Sequence, residues 1–128
     1  MNEPLYKEEL LEHYRHPRNY GELSDAHVTV QVSNPACGDS VTMQLRIEEG
    51  RVTGIAFQGK GCVISQAATS LLTLSVLNKP LEELKQFTVQ GILDLLGISL
   101  GPTRMRCALL SLETLQRAID QYQKEDHA

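Results

Sequence analysis

The chain has 128 residues, with 41% hydrophobic and 22% charged side chains, an ordinary globular balance that excludes a disordered polypeptide. Its 12 basic and 16 acidic residues leave a net charge of −4. That charge argues against nucleic acid as the main partner, because phosphate recognition draws on clustered Lys and Arg. No apolar run reaches the ~18–20 residues of a membrane helix, and Met1 to Leu11 carries Glu3, Glu8 and Glu9 instead of the apolar core of a signal peptide. The reading is therefore a cytoplasmic protein that uses neither membrane nor nucleic acid. Three widely spaced cysteines do not suit a secreted disulfide framework, so the thiols are expected to be free.

In chain order, Pro4 to Arg15 reads as a helix with an imperfect stripe of Leu5, Leu10, Leu11 and Tyr14, stopped by Pro17. A turn-rich link follows to Asp25. Val28, Val30 and Val32 then alternate with polar residues, as do Val41, Met43, Leu45 and Ile47, the cleanest two-residue period in the chain. Glu49-Gly50 offers a turn into a third strand, Val52 to Gln58, with Ile55 and Phe57 on one face. One buried and one wet face is the requirement of a small antiparallel sheet with helices on one side.

Cys62 to Leu77 reads as a heavily buried helix closed by Pro80. Leu81 to Gln86 and Val89 to Leu96 are short helices, the second with Thr88 as N-cap and Gly97 as its stop. Arg104 to Gln123 is the last helix, with Thr103 as its expected N-cap. The fold class is α+β: a three-stranded antiparallel sheet with helices packed on one side, in a single domain over residues 1–128.

The chemistry concentrates in Asn34-Pro35-Ala36-Cys37-Gly38-Asp39, Gly59-Lys60-Gly61-Cys62 and Thr103-Arg104-Met105-Arg106-Cys107. A thiol and a carboxylate two residues apart can face one point across a glycine. Cys62 stands at the start of a helix, where unpaired N–H groups and the positive dipole end favour a thiolate, and Cys107 is placed in the first turn or so of the last helix beside Arg104 and Arg106. The competing reading of each cysteine is a small core filler. Against it stand the boundary positions of all three, the glycines beside two of them, and Asp39 two residues after Cys37. Three thiolates and one carboxylate would suit tetrahedral zinc or iron in a cluster. His13, His16 and His27 are alternative ligands, each read as a surface side chain.

These segments resemble the U-type scaffold family of iron–sulfur assembly, comprising IscU, SufU and the N-terminal domain of NifU. The likeness runs from about Leu5 to about Ile119 and includes His13-Tyr14-Arg15-His16-Pro17-Arg18-Asn19-Tyr20-Gly21, the Cys37–Asp39 segment, Gly61-Cys62 with Ile64-Ser65, and Arg104 to Cys107 followed by Ala108-Leu109-Leu110-Ser111. It implies a SufE/NifU-like fold and a shared site of Cys37, Asp39, Cys62 and Cys107. It also implies a cysteine desulfurase as sulfur donor, and iron–sulfur recipient or Suf-type assembly proteins downstream. The site would hold Zn2+ or a transient [2Fe–2S] cluster.

Within that resemblance the motifs are mixed. Arg106 stands where IscU has His, and Arg104, three residues before Cys107, is similar to the SufU site arginine. Yet the 45 positions from Cys62 to Cys107 match the shorter IscU interval. The IscU branch implies Cys107 as sulfur acceptor and the SufU branch implies Cys37. Leu100-Gly101-Pro102-Thr103-Arg104 departs from the Leu-Pro-Pro-Val-Lys segment read by Hsp70-type chaperones, which argues against chaperone-driven release. Three readings stay open: a cluster scaffold, a zinc-dependent sulfurtransferase, and a structural zinc module whose metal only holds the fold.

Overall fold

The computed structural model describes residues 8–35 and 38–125. Cys37 and the proposed helical start at Pro4 lie outside those residues. The first helix, α1 (Glu8–Arg15), buries Leu10 and His13, three residues apart on one face. Three strands follow, β1 (Val28–Asn34), β2 (Asp39–Glu48) and β3 (Arg51–Lys60), forming an antiparallel sheet in sequence order. The expected alternation aligns across the sheet, with Val30 opposite Met43 and Met43 opposite Phe57. The β2–β3 connection is the two-residue turn anticipated at Glu49-Gly50, with φ of 54° and 75°.

A register shift at Arg46/Ile47 interrupts the β2–β3 ladder. There the Ile47 N–H donates to His27 Nδ1 at 2.9 Å. His27 is exposed, as read from the sequence, and its ring nitrogen satisfies a backbone donor at this irregularity.

The central helix α2 (Val63–Val76) buries every residue from Ile64 to Thr73. It packs against α1, the sheet, α4 (Val89–Leu96) and α5 (Pro102–Glu125), so no side is left for solvent along that stretch. Its buried hydroxyls find partners at close range, such as Thr69 Oγ1 to the Ser65 carbonyl at 2.8 Å. Between α2 and α4, α3 (Leu81–Leu84) is shorter than the stretch to Gln86 that the sequence suggests. The Thr88 cap is as anticipated: its hydroxyl accepts the Gly91 N–H at 3.1 Å, and Gly97 takes φ 69° to close α4. Thr88→Ala is expected to cost about 1 kcal/mol, read from a urea unfolding midpoint.

Two further sequence expectations need correction. The last helix begins at Pro102, not after a Thr103 cap, and the Gly101 carbonyl accepts the Met105 N–H at 2.9 Å. Proline suits a first helical position because its missing N–H would have no partner there. The second correction concerns His13, expected on the surface but only 5% exposed. Its Nδ1 lies 2.7 Å from Ser70 Oγ on α2, and the same oxygen accepts the Arg18 N–H at 2.8 Å. Asn19 Nδ2 adds a bond to Thr73 Oγ1 at 3.0 Å. The His13 to Gly21 motif is thus a polar clasp that pins α1 and the following link to α2.

Burial holds His13 below the usual histidine range, and the nearby Arg18 cation lowers it further, against the opposing pull of Glu9 and Glu12. The unfolded chain then binds the extra proton first as pH falls. This contribution to stability is complete above the unfolded value near 6.5 and declines as pH drops below it. A His13→Gln variant is expected to flatten the fall in urea midpoint between about pH 7.5 and pH 5.

The link after α1 covers the outer edge of β3 and reaches over part of the sheet's outer face. Gly21 N–H donates to the Phe57 carbonyl and Phe57 N–H to the Asn19 carbonyl, both at 2.9 Å, so the link runs along β3 as a short parallel partner. Leu23 N–H then reaches Gln44 Oε1 at 2.8 Å. Gln44 is the cross-strand neighbour of Ala56, which explains why Ala56 is buried together with Ile55 and Phe57.

Candidate metal and sulfur site

Asp39, Cys62 and Cys107 come from three separate elements and converge at one end of the sheet. One ligand atom from each lies within 4.8 Å of the other two. Asp39 opens β2 directly after Gly38, whose φ of 73° is a left-handed conformation that costs glycine nothing. Its side chain is buried at 1% exposure. A buried carboxylate needs hydrogen-bond compensation, and the Cys62 N–H donates to Asp39 Oδ1 at 3.0 Å. The other oxygen, Oδ2, lies 3.6 Å from Cys62 Sγ.

Cys62 is the N-cap of α2, as the sequence suggested for a thiol at a helix start. Its sulfur accepts the Ser65 N–H at 3.5 Å, a role more often filled by a Ser or Asp oxygen. One cysteine therefore joins three functions: capping a helix, orienting the aspartate through its amide, and offering sulfur to the site. Gly61 makes the approach feasible. Its φ of 139° favours glycine, and a Cβ there would lie 2.6 Å from Asp39 Cγ. The sequence shows Gly61 as a point of backbone freedom; the reason for it, contact with a carboxylate 22 positions earlier, is visible only in the fold.

Cys107 is buried at 3% exposure and reaches the site from α5. Because α5 begins at Pro102, this cysteine is the helix's sixth residue, in its second turn. At the start of α2 it is Cys62 whose sulfur takes up a backbone N–H that the helix leaves unpaired. Arg104 lies in the first turn, three residues before Cys107 and so on a neighbouring part of the same helix face, and it is exposed. Cys37, the remaining member of the anticipated set, falls outside the described residues, between β1 and Asp39.

Two sulfurs and a carboxylate oxygen are a donor set that zinc and iron accept and that magnesium or calcium would not select. In tetrahedral coordination with Zn–S near 2.3 Å, donor atoms stand roughly 3.8 Å apart. The observed separations lie within 4.8 Å, so small side-chain rotations bring the three onto one ion. The residues fit a metal, with a fourth position left for another donor.

The description "NifU-like N terminal domain" matches residues 5–128. The iron-sulfur cluster assembly scaffold protein IscU 1 of Archaeoglobus fulgidus is 33% identical over 118 residues, covering 92% of this chain and 76% of that protein. The zinc-dependent sulfurtransferase SufU of Bacillus subtilis is 31% identical over 132 residues, covering 90% and 89%. The crystal structure of a nitrogen-fixing NifU-like protein (N-terminal) from Brucella abortus shares the fold, with a TM-score of 0.79 at 20% identity over 93% of this chain and 94% of that one. With almost its whole length matched and its fold shared, this chain belongs to the NifU-like N-terminal domain family.

Proposed function

We propose that this chain is an iron–sulfur cluster assembly protein. It accepts sulfur from a cysteine desulfurase and holds metal or a transient [2Fe–2S] cluster for delivery to recipient proteins. The observation that carries the reading is the meeting of Asp39, Cys62 and Cys107 from three distant elements, in a chain of this family. Cys37 completes the proposed ligand set, and residues 1–128 act as one cytoplasmic domain.

The sulfur step needs only a thiolate of this chain. Sulfur of Cys37 or Cys107 attacks the outer sulfur of the donor's persulfide. A new S–S bond forms, the donor's S–S bond breaks, and the donor leaves as a thiolate. Two irons and a second sulfur would then enter as cargo, with an external electron donor supplying the two electrons that reduce each persulfide sulfur to sulfide and free the cysteine thiolate. Asp39 keeps that cargo exchangeable, since a carboxylate is a harder and poorer partner for an iron–sulfur unit than a thiolate. Anaerobic reconstitution is expected to give thiolate-to-iron absorption, and an Asp39→Ala variant to keep that absorption several times longer in the presence of a chelator. Absence of any cluster under reconstitution removes the scaffold reading.

A second reading is a zinc-dependent sulfurtransferase that relays sulfur without holding a cluster. Arg104 and Arg106 favour it, as does likeness to SufU over 89% of that protein's length. Bound zinc would be held by Asp39 and the cysteines, ordering the site and stabilising sulfur as thiolate. Metal analysis of protein isolated anaerobically, paired with desulfurase turnover in its presence, separates the two. Stoichiometric zinc with strong stimulation supports the relay; cluster formation with unchanged turnover supports the scaffold.

A further inference from the structure

The two edges of the sheet are treated differently by the chain. The outer edge of β3 is covered by the protein itself. Asn19 to Gly21 pairs at Phe57, while farther along Val52 N–H donates to the Lys79 carbonyl at 3.1 Å and Asn78 N–H to the Val52 carbonyl at 2.7 Å. β1 forms the opposite edge, and among the described residues β2 is its only strand partner. Its sequence, Val28-Thr29-Val30-Gln31-Val32-Ser33-Asn34, contains no proline and no charge, the usual devices that keep an edge from pairing. Thr29, Gln31 and Ser33 are exposed along it.

Beside the end of this edge lies a groove of about 360 Å³ between β1 and α5, lined by Ser33, Asn34, Pro35, Arg106, Leu109, Leu110 and Glu113. On the helix side its chemistry is graded. Arg106 and Glu113 are exposed at the two ends, seven residues apart, and the partly exposed Leu109 lies between them beside buried Leu110. Seven residues of helix span about 10 Å, which three alternate positions of an extended chain at about 3.3 Å per residue also cover to within a side chain's reach.

We propose that the β1 edge and this groove form a docking site for an extended segment of a partner protein. The segment adds a strand to β1 and carries an aliphatic side chain between one acidic and one basic residue at alternate positions. Main-chain pairing supplies affinity in such strand addition, and the alternate side chains supply selectivity. The aliphatic residue rests on Leu109 and Leu110, the acidic one faces Arg106, and the basic one faces Glu113, which also accepts Arg117 at 2.6 Å on its own helix. Docking there places a partner next to the turn that leads into Asp39, one residue from Cys107 on the helix side. Such docking is separate from the sulfur chemistry and does not require it.

The test is an array of heptapeptides with three alternate positions varied over Glu, Leu, Lys and Ser on a threonine background. It is screened against the intact metal-loaded chain and followed by amide hydrogen exchange. Peptides with central Leu and opposite charges are expected to bind about tenfold more tightly than those with central Ser. They should slow exchange of β1 amides and lose binding when N-methylated on the pairing edge. A Glu113→Lys variant is expected to shift the preference to two acidic flanks. Overturning results are an array with no binders, binders that leave β1 amides unprotected, or binders indifferent to N-methylation. Protection of β1 that grows with protein concentration in the absence of peptide also overturns it, since a second copy then occupies the edge.

Discussion

A Cys62→Ser variant is expected to fold as well as the parent chain while losing zinc affinity by roughly 10²- to 10³-fold. Apparent binding energies of about 10–16 kcal/mol shared over four ligands leave about 2.5–4 kcal/mol for each, and every 1.4 kcal/mol is about tenfold. The substitution separates two roles that one sulfur combines. Serine retains the cap on α2, because its hydroxyl accepts the Ser65 N–H now taken by Cys62 Sγ at 3.5 Å, and serine is a preferred capping residue. The amide bond to Asp39 is untouched, since the backbone supplies it. Competition with a chromophoric chelator gives the affinity, and urea unfolding of the metal-free chain gives the stability. A metal-free variant that unfolds several-fold more easily would show that the sulfur matters to folding instead.

Gly61→Ala is expected to be the most damaging single-methyl change in the site, at about 3–5 kcal/mol of stability. A left-handed φ costs alanine about 1–3 kcal/mol, and the new Cβ lands on the Asp39 carboxylate. Displacing that carboxylate sacrifices a charge-assisted bond to the Cys62 N–H, about 1.5–3 kcal/mol more. Gly38→Ala provides the comparison. It carries the same kind of strain, at φ 73°, but its Cβ meets nothing within 4 Å among the described residues. That variant is expected to lose about 1–2 kcal/mol and to keep its metal affinity nearly intact. Urea midpoints and metal titrations on the two variants, run side by side, distinguish backbone strain from collision with the ligand.

The β elements and the amphipathic helices were legible in the chain because their signals are local. Val41, Met43, Leu45 and Ile47 alternate without interruption, and a two-residue period admits only a strand with one buried face. The Thr88 cap and Gly97 stop were equally readable, because each acts within one turn of its own helix. His13 was not legible. Nothing near it in sequence announces Ser70, 57 positions away, so a histidine on a short helix reads as exposed. His27 is exposed as the sequence suggests, but its bond to the Ile47 N–H was illegible for a related reason: that donor lies where the β2–β3 ladder shifts register.

The candidate site divides along the same line. Residue type, the glycines beside two thiols, and the placement of Cys62 at a helix start belong to the sequence, since covalent spacing and helix-terminus chemistry are properties of a short stretch of chain. The meeting of Asp39, Cys62 and Cys107 was decided by tertiary packing. It required β2 to lie beside β3, α2 to leave β3 at Gly61, and α5 to settle against α2. So was the contrast between a covered β3 edge and a β1 edge whose one strand partner among the described residues is β2, which depends on where the link and the segment around Asn78 fold back. Burial supplies the force for both, because a stripe of apolar side chains specifies that it must be covered and leaves the choice of covering element to the whole chain.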